Sequence, residues 1–263
     1  MSQKIYQVDA FANQVFSGNP AAVCPLEKWL SDALLQKIAM ENNQAETAFF
    51  VREGTQFHIR WFTPAVEVDL CGHATLASAF VLFNQENYPG SQIDFYSAKS
   101  GKLTVTRNGD FLTLHFPADE IEPVELSGDL ISSFDLRPVE AYKGKSDYML
   151  VFEKEEQIKN IRPAFEHIAR LHARGVIITA RGDQSDFVSR FFGPQVGIME
   201  DPVTGSAHTT LIPYWAGKLN KNELTATQIS PRRGYLYCKN VAGGVEISGQ
   251  GKLYMKGHIF PGT

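Results

Sequence analysis

A chain of 263 residues, 43% hydrophobic and 21% charged, has the size and balance of one large or two modest globular domains. Its net charge of −4 gives no general attraction to nucleic acid or to an anionic membrane. No apolar run is long enough to span a bilayer, and three cysteines without metal spacing read as reduced thiols of a cytoplasmic protein.

The first strand, Ile5–Phe11, leads into Ser17-Gly18-Asn19-Pro20. This turn either presents the Asn19 amide to a ligand or is a plain Asn-Pro turn. A helix is expected over Leu30–Glu41. Ser31 is its N-cap, Leu30 and Leu35 form a hydrophobic staple, and Leu30, Leu34 and Ile38 share one face. Strand Thr47–Val51 follows, with Glu46 at the joint. Phe57–Phe62 is another strand. The helix His73–Phe83 is apolar or small on all sides, which marks it as buried.

Asn108-Gly109 predicts a two-residue hairpin turn within Gly101–Phe116. Pairing Arg107 with Asp110 then sets Val105 opposite Leu112 and Leu103 opposite Leu114. The acidic, turn-rich segment from Pro117 to Pro138 divides the chain into lobes of 1–117 and 118–263, with the C-terminal strand free to return to the first. In the second lobe the pattern predicts strand Asp147–Phe152, helix Arg162–Arg174, and strands Val176–Ala180 and Phe187–Phe192. A helix from Ser206 follows, which Pro213 should kink. Short strands separated by glycines close the chain over 227–258.

The two halves repeat. Cys71-Gly72-His73-Ala74 has the layout of Thr204-Gly205-Ser206-Ala207. Arg60-Trp61-Phe62-Thr63-Pro64 resembles Arg190-Phe191-Phe192-Gly193-Pro194, and Glu46–Arg52 lines up with Gly175–Arg181. Two similar lobes are therefore expected, each sending one helix N-terminus toward a shared cleft. Gly205 can take a backbone angle closed to other residues, and Gly72 holds the matching turn of the first half. Free N–H groups and the helix dipole at such ends suit a carboxylate or another small anion.

That arrangement acidifies a carbon–hydrogen bond beside a bound carboxyl, so a base is needed. The candidates are Glu46, Asp201, His73, Cys71 and His208. A helix N-terminus could lower the pKa of Cys71. Its counterpart Thr204 cannot be a thiolate, and the counterpart of Glu46 is Gly175, which would leave room for substrate. A symmetric two-base racemase is disfavoured, and one dominant base is favoured. No His-x-x-x-His or comparable ligand pair supports a metal hydrolase. A Cys71–His73 pair is weak, because residues two apart at a helix start do not face each other.

Four motifs in order, Ser17–Val23, Asn43–Thr47, Cys71–Ala77 and Glu200–His208, resemble those of the phenazine-biosynthesis isomerase (PhzF-like) family, which has the diaminopimelate-epimerase fold. The resemblance runs from the first strand to the C-terminal strands. It implies an α+β fold of two pseudo-symmetric lobes, each a β-roll or barrel around a central buried helix, and a homodimer. Glu46 matches the family's proton-carrying glutamate, and His73, Asp201 and Ser206 match its other site residues. The expected function is cofactor-independent and metal-free proton transfer on a small carboxylic acid, possibly a cyclic amino acid. Glu46, Asp201 and His73 are its catalytic candidates, and Asn19, Gly72, Gly205 and Ser206 its substrate contacts. A cysteine-dependent epimerase or dehydratase using Cys71, or a non-catalytic small-molecule binder, are the alternatives.

Overall fold

The structure, a computed structural model, describes residues 2–262. It divides into two compact units, one of residues up to 115 together with those from 248 onward, the other of 116–247.

The first unit begins with β1 (Gln3–Ala10), β2 (Asn19–Leu26), α1 (Asp32–Asn42), β3 (Glu46–Glu53), β4 (Gln56–Phe62) and β5 (Glu67–Val68). Then come α2 (Gly72–Asn84), β6 (Gln92–Ser97), β7 (Gly101–Asn108) and β8 (Phe111–Phe116). β1 and β2 are antiparallel, with Tyr6 opposite Val23. β2 and β3 are parallel, with Ala21 opposite Glu46, and α1 makes the crossover. β3 pairs antiparallel with β4, and β4 pairs parallel with β6. The six residues Glu46–Val51 of β3 are all buried, because α1 and α2 both pack on this strand. A strand covered on both faces reads as a continuous apolar run rather than an alternation.

The face of α1 differs from the predicted one. Leu35, Ile38 and Ala39 are buried, while Leu34 is only partly so. Ser31 sits at the N-cap, but its side chain makes no capping bond. Its carbonyl accepts the Leu35 N–H instead. The hairpin also turns later than predicted. Asn108 pairs with Phe111 and Arg107 with Leu112, so the turn residues are Gly109 and Asp110. Gly109 has φ +58 and Asp110 does not share it, which suits a turn with glycine in its first central position. Val105 therefore faces Leu114. The shift is even in register, so the apolar residues stay on one face.

The second unit holds β9 (Glu122–Pro123), α3 (Gly128–Ser132), β10 (Glu140–Lys143), β11 (Asp147–Val151), α4 (Glu155–Asn160), α5 (Phe165–Ile168) and β12 (Gly175–Arg181). β13 (Phe187–Gly193), a 3-10 turn (Pro194–Val196), β14 (Ile198–Asp201), α6 (Gly205–Leu219), β15 (Glu223–Gln228) and β16 (Gly234–Val241) follow, and β17 (Gly244–Gly249) spans the boundary at 247/248. Parallel β11 and β12 repeat β2 and β3, with Asp147 opposite Gly175. Val176 pairs with Phe192 as Thr47 pairs with Phe62. β13 runs parallel to β15 as β4 does to β6. Each unit is thus a mixed sheet packed on one buried central helix, α2 or α6, and the fold class is the α+β, two-lobed one expected.

The predicted helix over Arg162–Arg174 does not form as one element. Only Phe165–Ile168 is helical. The Arg162 N–H is taken by the Asp135 carboxylate at 2.8 Å, and Ala169, Arg170 and His172 are exposed, so no apolar stripe extends the helix. α6 runs on past Pro213. Proline cannot bond the Thr209 carbonyl, and that carbonyl accepts the Asp119 N–H at 3.1 Å instead.

The boundary at 117 and a second lobe of 118–263 are refined by the last strand. β18 (Gly251–Ile259) lies antiparallel along β1, from Gln3 opposite Ile259 to Ala10 opposite Gly251, and so belongs to the first unit.

Candidate functional site

The parallel pairing of β2 and β3 brings their first residues, Asn19 and Glu46, to the same end of the sheet. Gly18 makes this possible. Its φ is +68, and a Cβ there would lie 2.1 Å from the Ala10 carbonyl oxygen. Asn19 is fully buried, and Glu46 and His73 are only 8% and 5% exposed.

His73 Nε2 stands 3.1 Å from Glu46 Oε2, an ion-pair distance. This contact is an ion pair first, with no well-formed hydrogen bond to Oε2 by geometry among the described residues. On the other side of the ring, Nδ1 is 3.4 Å from Cys71 Sγ and 3.3 Å from Asn19 Nδ2. The Cys71–His73 contact corrects the sequence expectation. Cys71 is the N-cap of α2, with φ −142 and ψ 106, so helical spacing does not govern where its side chain points.

Charges follow from this packing. Burial alone would raise the Glu46 carboxyl, but the His73 charge, with Cys71 nearby, holds it below the usual range. Burial alone would push His73 down, but Cys71 and Glu46 keep it well above its ordinary value. Burial and the Glu46 charge push the Cys71 thiol up to about 11, which overturns the expected lowering by the helix end. Glu46 is thus favoured as the carboxylate and Cys71 as the thiol. The contact with Asn19 Nδ2 suits a neutral ring. In the cation the amide turns its oxygen to Nδ1, a change of hydrogen bonding without change of shape.

In the second unit Asp201 ends β14, and Thr204 is the N-cap of α6. Thr204 Oγ1 donates to Asp201 Oδ2 at 2.5 Å. Gln228, fully buried at the end of β15, donates through Nε2 to the Asp201 carbonyl at 2.7 Å and accepts the Thr204 N–H at 2.8 Å. Gln228 was not among the sequence candidates. The signal was available, since the alternation of β15 puts Leu224, Ala226 and Gln228 on one buried face. His208 donates Nδ1–H to the Thr204 carbonyl at 2.8 Å, and burial pushes its pKa down to about 4, so it is neutral and structural. Thr75 is its counterpart, donating to the Cys71 carbonyl at 2.6 Å.

Gly72 and Gly205 are the first residues of α2 and α6 with helical backbone, not left-handed turn residues. Neither helix has an acidic residue in its first turn, and neither N-cap side chain closes it. Ser206, partly exposed, sits in the first turn of α6. Gly175 leaves no room for a ligand, because a Cβ there would lie 2.3 Å from the Phe191 ring. Glu200 is a clamp. Arg190 holds both its oxygens at 2.7 and 2.9 Å, as Arg60 holds Glu67 in the first unit at 2.8 Å twice. Aligning these clamps makes Val68 the counterpart of Asp201. The halves share their scaffold and differ where the acids stand. The structure gathers Asn19, Glu46, Cys71 and His73 in the first unit, and Asp201, Thr204 and Gln228, with Gly205 and Ser206 in the next helix, in the second.

The chain matches the family described as phenazine biosynthesis-like protein over residues 8–257. It is 51% identical to an uncharacterized isomerase of Pseudomonas aeruginosa over 98% of this chain and 99% of the relative. A PhzF-family crystal structure from Enterococcus faecalis is 48% identical and superposes with a TM-score of 0.96 over 99% of this chain and 100% of that one. A predicted epimerase of P. aeruginosa, at 20% identity and a TM-score of 0.76 over 98% and 99% of the two chains, shares the fold. Fold and relatives together define an isomerase acting on small molecules. The chain belongs to the phenazine biosynthesis-like (PhzF) family.

Proposed function

We propose that this isomerase moves a proton between two positions of a small carboxylic acid, with Glu46 as the proton carrier and no metal or organic cofactor in the reaction. The supporting observation is the buried Glu46 carboxylate, its pKa held low 3.1 Å from His73. A substrate carboxylate competes for the His73 charge and for the free N–H groups at the start of α2. As His73 turns to the substrate, Glu46 loses the partner that depresses its pKa and becomes a stronger base. The same residue can then return its proton to another carbon. Under this reading Asn19 and Gly72 contact the ligand beside Glu46, and the roles expected of Asp201, Gly205 and Ser206 are tested by substitution in the heavy-water exchange assay. The expected assembly is a homodimer, which analytical ultracentrifugation tests.

A second reading makes Cys71 the base of an epimerase or dehydratase. The 3.4 Å contact of Sγ with His73 favours it. A thiol held at about 11 and a threonine at position 204 weigh against it. The test is a thermal-shift screen of cyclic and amino carboxylic acids, then heavy-water exchange on those that raise the melting temperature. Exchange into a bound acid supports proton transfer. Binding without exchange refutes it and leaves a small-molecule binder.

A further inference from the structure

We propose that Glu46, Cys71 and His73 also form a binding site for one thiophilic divalent cation, such as Zn²⁺. Their ligand atoms all lie within 4.8 Å of one another, and all three residues are buried. A tetrahedral zinc with bonds of about 2.0–2.3 Å places its ligand atoms about 3.3–3.7 Å apart. His73 Nε2 is 3.1 Å from Glu46 Oε2 and 4.0 Å from Cys71 Sγ, so small side-chain adjustments bring the three to these separations. Sequence spacing concealed the set, because Glu46 comes from a strand end and the other two from a helix start.

The chemistry of the set selects the ion. One thiolate sulfur, one imidazole nitrogen and one carboxylate oxygen suit zinc or cobalt, whereas magnesium and calcium take oxygen ligands. On binding, the Cys71 thiol and the His73 imidazolium each release a proton to solvent. Two negative ligands then balance the two positive charges of the ion. Three protein ligands leave a fourth position for water or for a ligand carboxylate. Supporting contacts are already in place. Nδ1 of His73, the nitrogen that would not bind metal, faces the Asn19 amide, whose oxygen must take the place of its nitrogen to accept the Nδ1–H, and Thr75 fixes the Cys71 carbonyl at 2.6 Å.

Metal occupancy would tie the Glu46 oxygen to the ion and stop it from carrying a proton. That consequence rests on the function proposed above, whereas the site itself rests on geometry alone. The experiment adds Co²⁺ to the full chelator-treated chain. One equivalent should produce a near-ultraviolet thiolate–cobalt band with tetrahedral visible bands, displaced by Zn²⁺ and not by Mg²⁺. Cys71→Ala should abolish the near-ultraviolet band, and Glu46→Gln should weaken Co²⁺ binding at least about tenfold, in variants whose circular dichroism shows a native fold. Absence of the band in wild type, or its survival in Cys71→Ala, would overturn the proposal. Zinc that occupies the site without slowing exchange would uphold the metal site and refute Glu46 as carrier. Exchange in wild type with no cobalt band would refute the metal site alone.

Discussion

Replacing Glu46 with glutamine keeps the shape of a side chain that is 8% exposed and removes its charge and its basic oxygen. Loss of a general base typically costs about 10²- to 10⁴-fold in rate. That is about 3–5 kcal/mol of barrier at 1.4 kcal/mol per decade. Affinity should change less, since the helix start remains. A second signature comes from the pair itself. Without the carboxylate, His73 loses one of the two groups that raise its pKa against burial. The depressed Glu46 pKa gives wild type a stability that is complete above the unfolded value of about 4.3 and is lost as pH falls through the folded value. The raised His73 pKa gives stability that is complete below about 6.5 and is lost as pH rises through its folded value. The stability gap between wild type and Glu46→Gln should therefore be widest between about pH 4.3 and 6.5 and close on either side. Heavy-water exchange into an acid found by thermal shift, run beside urea unfolding at several pH values, measures both. Near-normal exchange in the variant would remove Glu46 from the chemistry. A stability gap that ignores pH would refute the ion pair.

Cys71→Ala should lose no more than about tenfold in exchange, and a collapse of turnover in a folded variant would promote the cysteine-based reading. Gln228→Ala strips partners from the Thr204 N–H and the Asp201 carbonyl, and should cost about 2–5 kcal/mol in urea unfolding. His208, held neutral at about 4, should contribute about 3 kcal/mol at pH 7 that declines as pH falls from about 6.5 toward 4. The acid sensitivity of wild type relative to His208→Gln, followed by urea unfolding, reads that out. Gly175→Ala forces a Cβ to 2.3 Å from the Phe191 ring and 2.8 Å from the Phe192 carbonyl oxygen, and should destabilise by about 1–3 kcal/mol or more in thermal melts.

The duplicated architecture was legible because the clamps and helix starts recur as local strings, Arg60 to Pro64 against Arg190 to Pro194 and Cys71-Gly72 against Thr204-Gly205. Within the candidate site, Glu46 and His73 could be named from the resemblance, but their contact could not, since it depends on where β3 begins beside α2. The Cys71–His73 contact was misjudged because a helical rule was applied to a residue still in extended backbone. The long helix before Gly175 was misread because polar spacing was taken for amphipathicity, whereas side chains such as Asp135 claim that backbone. Gln228 escaped notice because a buried glutamine at a strand end carries no motif. Only its neighbours' alternation marks it.

The pairing of β18 with β1 sets an order on biosynthesis. β1 is made before every other element of the fold and β18 after all of them, so the half that is started earliest is finished latest. The nascent chain carries the flank of β1 that awaits β18 as an open edge, able to pair with a neighbouring strand. Residues 116–247 form a unit of their own that does not include β18. A polysome crowded with such half-made chains is where mispairing between copies should be sought.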